Sequence, residues 1–123
     1  PCPKGYTMWL ETCYKIYKTE KTFNDSAAAC REDGGTLAMP RDAQTNTFLF
    51  SLLSDTVLRW REVWIGLSRP DRGGQFKWAD GSALAGFNSW EEGHPYGDGN
   101  CVLAWKYQWA SASCSRTYLF SCQ

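Results

Sequence analysis

Three observations predict an α+β fold for this chain. Short runs rich in β-branched and aromatic residues flank a pair of helical stretches instead of alternating with helices one by one. Aromatic residues make up 15 % of 123 residues, seven of them Trp, a composition of sheets and loop-rich cores. Six cysteines, at Cys2, Cys13, Cys30, Cys101, Cys114 and Cys122, contain no Cys-x-x-Cys, so they read as a disulfide framework and not as a zinc ribbon or a thioredoxin-like site.

In chain order, residues 5–19 carry Tyr14-Lys15-Ile16-Tyr17-Lys18 and predict a pair of strands. Thr22, three residues before Asp25, is a capping-box start, and Ala27, Ala28 and Ala29 sustain a helix that Gly34-Gly35 ends. Cys30 lies inside this helix. Thr36-Leu37-Ala38-Met39 is a short strand or extended link closed by Pro40. Asp42 opens a second helix whose Phe48, Leu49, Leu52 and Leu53 share one face. Glu62 to Leu67 reads as a buried strand, Arg69 to Gly74 as a turn, and Gln75 to Trp78 as an alternating strand ended by Asp80-Gly81. Residues 79–100 form a long Gly-rich loop, of a length that compact folds keep mainly for function. Cys101 to Trp105 and Tyr118 to Cys122 are the final strands. No repeat or linker divides the chain, so residues 1–123 read as one domain.

Thirteen basic residues against thirteen acidic ones give a net charge of +0, which argues against a nucleic-acid partner bound through phosphates. No apolar run approaches the ~20 residues of a membrane span. The start Pro1-Cys2-Pro3 reads as a processed or excised piece. Cysteine usage and the sequon Asn24-Asp25-Ser26, a candidate glycosylation site, place the chain in a secreted or extracellular setting. Six cysteines allow 15 pairings. Spacing favours Cys2 with Cys13 and Cys101 with Cys114, which leaves Cys30 to tie the first helix to the last strand through Cys122. Closing so long a loop contributes roughly 4–5 kcal/mol in the chain-entropy model.

An ordered set of motifs now resembles the C-type lectin-like domain over essentially the whole chain. It consists of Trp64-Ile65-Gly66-Leu67, Phe76-x-Trp78-x-Asp80-Gly81, Trp90, Pro95, Cys101-Val102, Trp109, Cys114 and Phe120-x-Cys122. The resemblance implies two helices flanking small antiparallel sheets, with a long functional loop. It implies the core disulfides Cys30–Cys122 and Cys101–Cys114, the long-form bridge Cys2–Cys13, and a cis Pro95. Trp64, Phe76, Trp78 and Trp90 are then expected in the core.

Sugar binding in that family runs through calcium, which takes six to eight oxygen ligands. The matching positions here are His94-Pro95-Tyr96, Gly99-Asn100, and Trp109-Ala110-Ser111. His94 offers nitrogen, Tyr96 a neutral phenol, Ala110 nothing and Ser111 a hydroxyl, so only Asp98 and Asn100 remain as oxygen donors. At the family's second calcium position Arg69 and Gly73 stand where acids belong. The resemblance therefore implies no calcium at the usual positions, and no cofactor is expected. A zinc site on His94 and Asp98 is the minority reading, short of ligands with one His and all cysteines paired.

The expected ligand face is His94, Tyr96, Asp98 and Asn100 with Tyr107 and Trp109, where a sugar ring stacks on an aromatic and polar groups take its hydroxyls. Arg59, Arg61, Arg69 and Arg72 read as a solvated face or an anion-binding patch, and Trp60 as an exposed aromatic. Catalysis is not expected: no thiol is free, no Gly-x-Ser-x-Gly elbow occurs, and the adjacent Glu91 and Glu92 point apart along a strand. The function expected is calcium-independent recognition of carbohydrate or microbial-surface glycan. The alternative is a receptor-type or secreted module that binds a protein on the same face. Ice or mineral binding would want regular Thr or acidic arrays, which this sequence lacks.

Overall fold

The computed structural model describes residues 1–53 and 57–123. The strands are β1 (Thr7–Trp9), β2 (Thr12–Lys21), β3 (Val63–Ser68), β4 (Lys77–Trp78), β5 (Cys101–Trp105), β6 (Gln108–Ala112) and β7 (Tyr118–Cys122), with helices α1 (Phe23–Glu32) and α2 (Ala43–Ser51) between β2 and β3. This is the α+β order anticipated above, with one strand more: β6 pairs with β5 from Cys101↔Ala112 to Trp105↔Gln108. The sheet runs β1-β2-β7-β3-β5-β6, and β4 pairs with β3 off this path. One pair departs from the antiparallel expectation. β3 and β7 run parallel, through Val63↔Leu119 and Trp64↔Phe120.

Both helix starts follow from their capping side chains. Thr22 accepts a hydrogen bond from the Asp25 amide at 3.2 Å, and Asp42 accepts one from the Thr45 amide at 2.8 Å. Helix α1 stops at Asp33, where Gly34 takes a φ of +89°, open to glycine at no steric cost. Asn24 of the sequon is exposed on the first turn of α1, while Ser26 is buried.

The middle of the fold is β3. Alternation sends Trp64 to one face and Ile65 and Leu67 to the other, and both faces are covered, which is why the run is apolar throughout. Trp64 packs with Cys30 of α1, Leu37, Leu103 and Phe120. Ile65 and Leu67 pack with Phe50 of α2, Phe76, Trp78, Val102 and Trp109. Gly66 faces the link after α1. Its amide donates to Ala38 O at 2.7 Å, and a Cβ there would meet Leu37 O at 2.8 Å. The link is extended, with one bridge from Leu37 to Cys122.

All three pairings read from the spacing are present: Cys2–Cys13, Cys30–Cys122 and Cys101–Cys114. The second spans 92 residues and fastens α1 to β7; the third anchors the start of β5, where the long loop returns to the sheet. Trp64, Phe76 and Trp78 are buried, and Trp90 is partly buried against the same core, as expected.

Candidate functional site

The long loop is built on a raft of aromatic rings. Trp109 lies at its centre, in edge-to-face contact with Trp78 at 5.6 Å, Phe87 at 5.6 Å and Trp90 at 5.8 Å. Its indole Nε1 donates to Asn46 Oδ1 of α2 at 2.9 Å. Main-chain bonds stitch the loop to β6: Trp109 N donates to Ser89 O, and Glu91 N to Trp109 O. At the near side of the loop, Asp80 takes hydrogen bonds from Ser82 and from Arg41, which together hold its carboxyl well below the usual carboxylate range.

Trp109 is thus corrected as a ligand-facing ring. It is 0 % exposed, with its one polar atom satisfied, so it supports the loop from beneath. The core expected from the resemblance was Trp64, Phe76, Trp78 and Trp90, and Trp109 joins it.

At the loop's far end, His94, Tyr96 and Ser111 form one hydrogen-bonded unit. Ser111 N donates to His94 Nδ1 at 3.1 Å, Tyr96 N donates to Ser111 Oγ at 2.7 Å, and Ser111 Oγ lies 3.2 Å from Tyr96 O. The His94–Pro95 bond is cis, and the imidazole and Tyr96 rings meet edge-on at 6.3 Å. Tyr96 itself projects outward, 72 % exposed. The unit fixes the backbone beneath an exposed phenol, a rigid contact surface of low conformational cost.

Arg69 closes the other side of this loop, and its role exceeds the solvated face read for it. Nε donates to Asn100 Oδ1 at 3.1 Å, and Nη2 donates to Gly97 O at 2.9 Å and Gly99 O at 3.0 Å. The guanidinium also lies over Phe76, 4.8 Å from the ring centroid. Asn100 is therefore engaged inside the loop. Arg72 pairs with Asp98 at 3.2 Å on the open surface. The structure brings His94, Tyr96, Asp98 and Asn100 into one loop. It separates them from Tyr107, which sits at the turn between β5 and β6 and lines a cleft with Phe50, Trp60 and Lys106.

This donor set does not fit calcium. Its remaining oxygens are one exposed carboxylate, paired with Arg72, and an amide already bonded to Arg69; a guanidinium fills the ring of loop carbonyls. The zinc reading loses a ligand atom too, because His94 Nδ1 accepts from Ser111 N. Among the described residues no three His, Cys, Asp or Glu side chains are grouped to hold a metal ion. Among them, too, no helix is long and apolar enough to cross a membrane.

A family model described as the lectin C-type domain matches residues 19–123. Collectin-10 of Gallus gallus is 36 % identical over 117 residues, covering 92 % of this chain and 42 % of the relative, so the chain spans about four tenths of that protein's length. A lectoxin, a C-type lectin of Thrasops jacksonii, is 30 % identical, with 99 % of this chain and 82 % of the relative covered. Among solved structures, human lithostathine superposes with a TM-score of 0.89 at 26 % identity, over 99 % of this chain and 89 % of that one.

Proposed function

The chain belongs to the lectin C-type domain family, and from that premise we propose that it is an extracellular recognition module whose long loop binds glycans, those of microbial surfaces included, without calcium. The observation that carries this reading is Arg69. Its three donors bond to Gly97 O, Gly99 O and Asn100 Oδ1, so a fixed side-chain cation organises the loop from within. The loop's shape then needs no metal, and recognition falls to what it presents: the Tyr96 ring for a sugar face, and Asp98 with the open edge of His94 for hydroxyls. Ser111 Oγ lies 3.4 Å from His94 Nδ1, but the hydroxyl is held by the Tyr96 amide and carbonyl and the ring nitrogen by Ser111 N, so a binding module is the reading that fits the arrangement.

The test is a glycan array probed with the chain in millimolar calcium and again in chelator. The expected result is the same set of bound glycans in both, with signal reduced for Tyr96→Ala. Binding that vanishes in chelator would overturn the calcium-independent reading. An array silent in both conditions would favour a protein ligand on the same face, for which an exposed Tyr on an ordered backbone is an apt anchor.

A further inference from the structure

The geometry points to a second binding site, apart from the long-loop tip, for an acidic saccharide carrying sulfate or carboxylate groups. It is a cleft of about 370 Å³ between the end of α2, Arg59-Trp60 and the turn joining β5 to β6. That volume lies within the ordinary range of small-ligand sites. The floor is apolar, formed by Phe50 and Leu53, and one wall is the Tyr107 ring, 49 % exposed and 4.7 Å from Phe50.

Two cations flank it. The Arg59 guanidinium and the Lys106 ammonium each lie 5.0 Å from the centre of the Trp60 ring, and Lys106 is also 4.4 Å from Trp105. The indole rings hold both charges at the rim by cation–π attraction. Three other arginines, Arg41, Arg61 and Arg72, have carboxylate partners. Among the described residues neither Arg59 nor Lys106 has one, and no carboxylate lines the cleft. Two cations that share the Trp60 ring and line the same cleft, with no carboxylate partner among the described residues, complement an anion attached to a compact ring over the apolar floor.

The frame is fixed before any ligand arrives. Tyr107 O accepts hydrogen bonds from Asn46 Nδ2 at 2.8 Å and Ser89 Oγ at 2.7 Å, and Trp60 O accepts one from Trp105 Nε1 at 2.6 Å. These bonds also occupy the carbonyls that an extended peptide would pair with, and the long loop bonds along β6 at Trp109. A saccharide ring needs none of them. It can lie on Tyr107 while its sulfate or carboxylate reaches Arg59 and Lys106.

The test is an NMR titration, at constant ionic strength, with a heparin-derived tetrasaccharide, neutral chitotetraose, inorganic sulfate and tripolyphosphate. The heparin tetrasaccharide is expected to shift the indole N–H signals of Trp60 and Trp105 and to bind at least tenfold more tightly than each of the other three. Arg59→Gln with Lys106→Asn, the latter chosen because Asn tolerates the left-handed backbone at this turn (φ 51°), should weaken it tenfold or more. Tyr107→Ala should weaken it several-fold, and Tyr96→Ala not at all. A second pair, Arg59→Ala with Lys106→Gln, repeats the measurement should the first not fold. The proposal fails if tripolyphosphate binds as well as the tetrasaccharide, or if affinity is unchanged in a folded double variant. It fails as well if the shifts gather at Tyr96. That last outcome would count for the long-loop reading, so the two sites are judged separately.

Discussion

Replacing Arg69 by Ala removes the cation on which the loop's proposed independence from calcium rests. The substitution deletes three hydrogen bonds, to Asn100 Oδ1, Gly97 O and Gly99 O, and the contact with Phe76, while the Arg69 main-chain bond to Asn100 O remains. Bonds from a charged donor contribute roughly 1.5–3 kcal/mol each when both partners are shielded. Here the loop is partly open to solvent, and the freed carbonyls can bond to water. A net loss of roughly 1 kcal/mol per bond, about 2–3 kcal/mol in all, is the reasonable magnitude. An unfolding entropy of roughly 2.1 cal/mol/K per residue over 123 residues converts this to a fall in Tm of roughly 8–12 °C. Arg69→Lys should recover only part of it, because a single ammonium cannot span the fork of acceptors. The assay is thermal unfolding followed by near-UV circular dichroism, in millimolar calcium and in chelator. A ligand bound only to the native state raises stability by RT ln(1 + [L]/Kd), so a working calcium site in the wild type would appear as a Tm that chelator lowers. No such shift is expected. An Arg69→Ala protein melting within a degree of wild type, or full recovery by Lys, would refute the argument that the guanidinium fork organises the loop.

Three further outcomes are expected. Trp64→Ala should destabilise by roughly 3–5 kcal/mol in chemical denaturation, since the ring is fully buried against Phe23 and Tyr118 and its Nε1 bonds to Lys21 O at 3.0 Å; an unchanged midpoint would contradict its place in the core. Gly66→Ala should cost more than about 1 kcal/mol by the same measurement, because the new methyl meets the Leu37 and Ala38 carbonyls at 2.8 and 3.1 Å, and a neutral substitution would show that the link yields freely. Stability should also decline at both ends of the pH range through Asp33, which accepts from Tyr17 and Tyr6. Those phenols lower the Asp33 carboxyl below its ordinary value, so its contribution is complete above about 4 and is lost as acid protonates it. The bond to Asp33 pushes Tyr17 up to about 12, and burial first, then the same bond, raises Tyr6, so their contribution is whole below about pH 10 and fades as pH rises toward 12. Denaturant midpoints from about pH 2 to 12 should show both declines blunted in Tyr17→Phe, and identical profiles would remove the triad from the account.

Much of the fold was legible because its signals are local. The caps Thr22 and Asp42, the stop at Gly34 and the apolar run Val63 to Leu67 each depend on a few adjacent residues. The cysteine spacing favoured, and the resemblance implied, the three pairings that the structure contains. Strand β6 carries no such local signal, because its turn, Lys106-Tyr107, takes left-handed backbone without Gly or Asn, and because Ala and Ser give Gln108–Ala112 little strand propensity. Its strand state comes from pairing with β5 and the long loop and not from its own composition.

The candidate site divides along the same line. By itself the sequence determined which side chains the loop carries, and at the positions where the resemblance implies calcium ligands they can be read off one by one: His94, Tyr96, Ala110 and Ser111 stand there. Tertiary structure alone decided what each remaining residue does. Trp109 and Tyr107 lie two positions apart in the chain, yet the first is sealed under the loop at 0 % exposure and the second lines a separate cleft. Arg69 and Arg72 are three apart, yet one threads its fork into the loop carbonyls and the other forms an open ion pair with Asp98. Residue type sets the bonds a side chain is able to make; burial and the direction of approach, which depend on residues tens of positions away, select the ones it makes.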